Sequence, residues 1–202
     1  MEAKPVVTTR AVEPGVEANG RLTALTGALL LLLLAAIGLT VFDVRQYLPQ
    51  HFLLGFLVIP PLGLKFASTG YRFMRYYTGA FAYRTAGPPP WSMRLLAPIV
   101  VVATVTLFAS GLELWFFGLG FGSIWVEIHK LSFMVWLPAV GIHVLWHLRR
   151  TAQAAREETA STPPADAFTR RGLVVGSLIA GAALAVATLS YHSPFIFFRD
   201  AG

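Results

Sequence analysis

Cysteine is missing from all 202 residues. Its absence removes disulfides, thiol chemistry, iron–sulfur clusters, cysteine-bound zinc and covalently attached c-type haem. Charge is scarce too: 13% of residues are charged and 55% are hydrophobic. That balance is too apolar for an ordinary soluble domain and points to a chain that crosses a membrane several times. Acids are few, 10 against 16 Lys and Arg, which leaves a net charge of +6. Such a surplus suggests nucleic acid only until the charges are placed. They gather at the ends of apolar runs, where membrane topology accounts for them, so no nucleic-acid partner is expected. The chain also lacks a nucleophile constellation and a phosphate-binding loop. Apart from Pro60-Pro61, nothing resembles the paired broken helices of a transporter.

What is there is a series of apolar runs. Residues 1–21 are polar and mixed in charge, and read as a disordered cytoplasmic tail. Residues 22–42 include Leu29–Leu34 and are long enough to span a bilayer. A signal peptide is the competing reading, but the apolar core is too long and no small-residue cleavage site follows it. A second span is expected over 51–68, with a kink at Pro60-Pro61 where backbone hydrogen bonds are lost. Residues 69–94 are basic and aromatic without one acid, and Pro88–Pro90 stops any helix there. A third span over 95–117, a Gly-rich bend at 118–126 and a fourth span over 127–148 follow. A polar linker at 149–171 leads to a fifth span over 172–190, and the outer tail is 191–202. The expected fold class is all-α integral membrane. Spans one to four form a four-helix bundle of two similar hairpins, holding haem, and the fifth helix packs outside it.

Orientation follows from the Lys and Arg residues. Lys4, Arg10 and Arg21 share a side with Lys65, Arg72, Arg75, Arg84 and Arg94, and with Arg149, Arg150, Arg156, Arg170 and Arg171; the other side holds only Arg45, Lys130 and Arg199. The N-terminus is therefore expected in the cytoplasm of a multi-pass plasma-membrane protein, and the C-terminus outside. Tyr47, Tyr71, Trp91, Trp115, Trp125 and Trp146 lie near the span ends, as interfacial belts require.

The fourth span carries His129, His143 and His147. At about 100° per residue they fall within about 40° of one another, so one stripe of an apolar helix is imidazole. Ionisable groups at such depth mark functional sites by default. The stretch HFLLGFLVIPPLGLK, His51 to Lys65, aligns with it without gaps: His51 meets His129, Pro60 meets Pro138, Gly63 meets Gly141, and Lys65 falls opposite His143. Spans two and four run in the same direction, so His51 and His129 lie level in the first turn at the outer edge. Two imidazoles so placed can clamp one haem iron between helices, neutral imidazole being the strong nitrogen ligand left to a chain without cysteine. Taken singly, each is equally a polar residue at the interface.

Roughly 21 Å further in, Lys65 and His143 occupy the place of a second haem. Lysine must lose its proton before it can ligate; otherwise it snorkels to the surface or pairs with a propionate or lipid phosphate. His143 and His147 have H-x-x-x-H metal-binding spacing, but no acid is placed to help. Glu113 is a proton-relay or quinone candidate, weighed against a carboxylate that snorkels outward. Lys130 and His192 lie on the outer side as a propionate partner and a reserve ligand. The run Tyr71 to Tyr77, basic with interleaved aromatics, suits anionic lipid headgroups or a partner protein.

The pattern of His129 and His143 separated by thirteen residues resembles the membrane b-type cytochromes. These include cytochrome b561-like proteins and the transmembrane part of ferric reductases and NADPH oxidases. More narrowly, HFLLGFLVIPPLGLKFASTGYRFMRYYTG with EIHKLSFMVW and GIHVLWHL looks like a group of actinobacterial membrane cytochromes, some associated with molybdopterin-dependent oxidoreductases. The resemblance covers about residues 20–150. It implies haem b, axial roles for His51, His129 and His143, and single-electron transfer between a quinone or membrane pool and an outer-face redox protein. Lys65 departs from the two-haem pattern, which asks for histidine there. The other reading is a cofactor-free assembly subunit or small transporter with proton-relay histidines.

Overall fold

The computed structural model describes residues 13–88, 90–158 and 165–196. Every regular element in them is helical: α1 (Pro14–Val41), α2 (Leu48–Tyr77), α3 (Phe81–Thr85), α4 (Trp91–Phe117), α5 (Ile124–Glu158) and α6 (Ala167–Thr188). Five of these helices, all but α3, are long and apolar enough to cross a membrane. Helices are the expected solution, because a bilayer offers no water to satisfy backbone groups and a helix pairs them internally. Hydroxyls follow the same logic. Thr26, Thr104 and Ser110 each donate to a carbonyl one turn back on their own helix.

The surface is apolar where a soluble protein's would be polar. Leu32 and Leu145 are 71% and 72% exposed, and Leu95, Val102, Ile179 and Val186 are likewise turned outward. Faces of this kind would aggregate in water but match lipid tails. The described residues form an all-α bundle compatible with a membrane.

The hairpins α1–α2 and α4–α5 and the α2–α6 pair make the most extensive helix contacts, and α5 also packs on α1. Helix α6 lies along α2 and touches α1. Its approach is close because Gly181 has no side chain; a Cβ there would run into the Leu57 carbonyl oxygen. Ala185 then joins Phe56 and Trp115 in a core that ties α6 to α2 and α4. The ring of Trp115 lies 4.8 Å from that of Phe52 and 5.3 Å from that of Phe56. After α6 the chain folds back over this core. Ser193 Oγ donates to the Trp115 carbonyl at 2.8 Å, and Tyr191 Oη to that of Phe116 at 2.9 Å. Gly118 ends α4 at φ 60° with Pro194 pressed against it, a conformation and a clearance that both favour glycine.

Some boundaries differ from the sequence expectation. Helix α1 already begins at Pro14, inside the segment composition reads as a tail; residues 1–12 lie outside the described residues. Proline suits this first turn, where its missing N–H has no helical partner. Helix α2 is continuous through Pro60-Pro61 and reaches Tyr77. Helix α5 continues past 148 to Glu158. There Glu158, nearly buried, takes hydrogen bonds from Arg170 and Arg171 at the start of α6, and Arg170 also pairs with Asp166. This clamp joins α5 to α6, although residues 159–164 between them lie outside the described residues. An ion cluster so enclosed needs all its partners, since removing one leaves a buried charge.

Candidate functional site

His51 sits in the first turn of α2, where Pro49 starts the helix and the His51 amide donates to the Tyr47 carbonyl at 2.8 Å. His129 sits in the second turn of α5. The two helices have no extensive contact of their own, yet their imidazoles meet. The ring centres are 6.4 Å apart and the planes lie at 81°. Two imidazoles bound end-on from opposite sides of one metal, at about 2 Å per metal–nitrogen bond, have ring centres about 6 Å apart. The separation therefore suits a shared iron.

Each ring is held from behind by a hydroxyl of the preceding helix in its own hairpin. Thr40 Oγ1, in the last turn of α1, lies 2.7 Å from His51 Nδ1. Ser110 Oγ, on α4, lies 3.0 Å from His129 Nδ1. A hydroxyl has one hydrogen to give. Thr40 gives its hydrogen to the Ile37 carbonyl at 2.5 Å, and Ser110 directs its own to the Thr106 and Leu107 carbonyls at 2.7 and 3.0 Å. Both oxygens are left to accept from histidine. That assigns the hydrogen of each imidazole to Nδ1 and leaves a bare lone pair on each Nε2. Metal-bound histidines are commonly fixed this way, by a partner on the nitrogen that does not bind. Gly111 completes the fit, because a Cβ there would stand 3.2 Å from His129 Cε1.

The second pair behaves differently. Lys65 Nζ donates to the Thr23 carbonyl of α1 at 2.7 Å, so its ammonium is engaged by α1 rather than presented as a lone pair. It remains within electrostatic range of His143 and His147. Those two rings lie 4.7 Å apart on α5, and His143 Nδ1 is buried with no hydrogen-bond partner. Among the described residues no three His, Asp or Glu side chains converge as a metal-holding group, so the histidines are arranged as pairs.

Glu113 lies one turn from Ser110 on α4, and both its carboxyl oxygens are buried without a partner. Lys130 pairs with Glu127 at 3.2 Å in the open. His192 is exposed beyond α6, and the far end of α2 exposes Tyr71, Phe73 and Tyr77.

The residues that sequence reasoning passed over are Thr40 and Ser110. Lone hydroxyls are common in membrane helices. The available signal was that each stands near the same end of its hairpin as the histidine. Compared with known family models, characterised proteins and solved structures, the chain matches none, so its resemblance to membrane cytochromes rests on the quoted residues alone.

Proposed function

We propose that this chain is a membrane cytochrome b subunit in which haem b is held by Nε2 of His51 and Nε2 of His129 in a four-helix bundle. It passes single electrons between a quinone or membrane pool and a redox protein at the His51 end, a molybdopterin oxidoreductase being the class the resemblance suggests. The observation that carries this reading is the imidazole pair at 6.4 Å, contributed by separate helices and backed on each Nδ1 by a hydroxyl. Haem supplies a reversible one-electron change at its iron. The protein's part is to orient two ligands, keep Nε2 unprotonated and exclude water, the Phe52 ring lying beside His51. The Lys and Arg distribution supports an N-terminus in the cytoplasm and the His51 end outside.

One haem per chain is the stoichiometry favoured by the bond from Lys65 to Thr23. The second reading, a cofactor-free subunit or transporter with proton-relay histidines, draws support from the unpartnered Glu113 carboxyl and His143 Nδ1.

The test is ligand removal. His51→Ala and His129→Ala are each expected to abolish haem binding while the protein still inserts in the membrane at normal abundance. Wild-type haem content in both variants would sink the proposal.

A further inference from the structure

The opposite end of the bundle gathers basic side chains from two helices onto a third. Lys65 and Arg72 are seven residues apart on α2 and share a face. His143, His147 and Arg150 follow the same rule on α5. From these faces Lys65 and Arg150 reach α1, at Thr23 and Gly27 and at Gly20. Lys65 Nζ reaches the Thr23 carbonyl and lies 3.0 Å from where a Gly27 Cβ would stand; an Arg150 guanidinium nitrogen lies 2.8 Å from the corresponding point at Gly20. Arg72 and Arg150 are in electrostatic range of one another, and both act on His147.

Two carboxylates stand nearby, and both are taken. Glu17 and Glu157 line a pocket of about 150 Å³ with Arg21 and Arg150. Arg21 bonds Glu17 at 2.7 Å and Glu157 at 3.4 Å. Among the described residues no carboxylate forms an ion pair with Lys65, Arg72 or Arg150. Three basic groups gathered at a membrane edge repel one another unless an anion joins them. The anion at hand there is a lipid phosphate, and the exposed Tyr71, Phe73 and Tyr77 rings in the same last turns of α2 offer lipid chains an apolar surface.

We propose that Lys65, Arg72 and Arg150, with His147, form a binding site for the phosphate of an anionic phospholipid, seated between α1, α2 and α5. It is independent of the haem reading. Each cation near a bilayer surface contributes about a fivefold gain in affinity for anionic lipid, so removing two should weaken binding more than tenfold.

The full chain in detergent is titrated with phosphatidylglycerol, phosphatidylcholine or inorganic phosphate, following the thermal midpoint and the lipid retained by native mass spectrometry. Phosphatidylglycerol is expected to raise the midpoint and remain bound at one per chain, while the other two have little effect. Arg72→Gln/Arg150→Gln should lose that response. Arg84→Gln/Arg94→Gln, which removes two exposed cations elsewhere, should keep it. If the double variant does not fold, Arg72→Gln alone should weaken retention about fivefold. Equal stabilisation by both lipids or by free phosphate, or equal losses in the two double variants, would overturn the site.

Discussion

At the scale of single residues, ligation by either histidine depends on which of its ring nitrogens carries hydrogen. Thr40 and Ser110 make that choice, because each hydroxyl has already given its own hydrogen to a carbonyl. Thr40→Val keeps the shape and removes the acceptor. It strands a half-buried Nδ1–H, at a cost of about 1–3 kcal/mol, and frees the ring to present the wrong nitrogen. Haem affinity, measured by titrating the apoprotein, should fall about 10- to 100-fold, the usual loss when a metal-bound histidine loses its outer partner. Thr40→Ser should restore it, and Ser110→Ala should behave as Thr40→Val does. Unchanged affinity in both variants would show that the hydroxyls do not set the tautomer. Lys65 makes the contrasting case. Its ammonium is bound to α1, so Lys65→Ala should leave most haem in place. Loss of half the haem per chain would mean that lysine supports a second site.

At the scale of elements, helix α6 is held on α2 by close backbone approach. Gly181→Leu should force the two apart and lower the thermal midpoint, overpacking typically costing about 1–3 kcal/mol. Gly176→Ala has open space around it and should be neutral or slightly stabilising. Equal effects of the two substitutions would contradict the packing described here. Helices also show where sequence is informative. Their number and approximate positions were legible, because apolar runs of this length have few alternatives in a bilayer. The level placement of His51 and His129 was legible because a gapless match at His, Pro and Gly sets register. Helix ends were not. Pro14 starts α1 among polar residues, and α5 runs on to Glu158 because the Arg170 and Arg171 clamp holds its polar end. The seat of α6 was also hidden, since the small residues around Gly181 reveal a capacity for close packing but not the partner. Thr40 and Ser110 escaped notice because a hydroxyl that bonds its own helix looks the same in sequence as one that also holds an imidazole.

At the scale of the whole molecule, the bundle turns its leucines outward and separates its polar groups by end: the imidazole pair at one, the basic cluster at the other. The absence of cysteine makes the orientation directly measurable. Val44→Cys, in the exposed turn after α1, should react with a membrane-impermeant maleimide in intact cells; Thr78→Cys, exposed after α2, should react only after lysis. The reverse pattern would invert the topology and move the proposed electron-transfer face to the other side. The central claim, that His51 and His129 share one haem iron, is tested most directly on protein purified from haem-replete cells. A reduced-minus-oxidised spectrum with a b-type α-band, at one haem per chain, is the predicted result. A colourless preparation would contradict it.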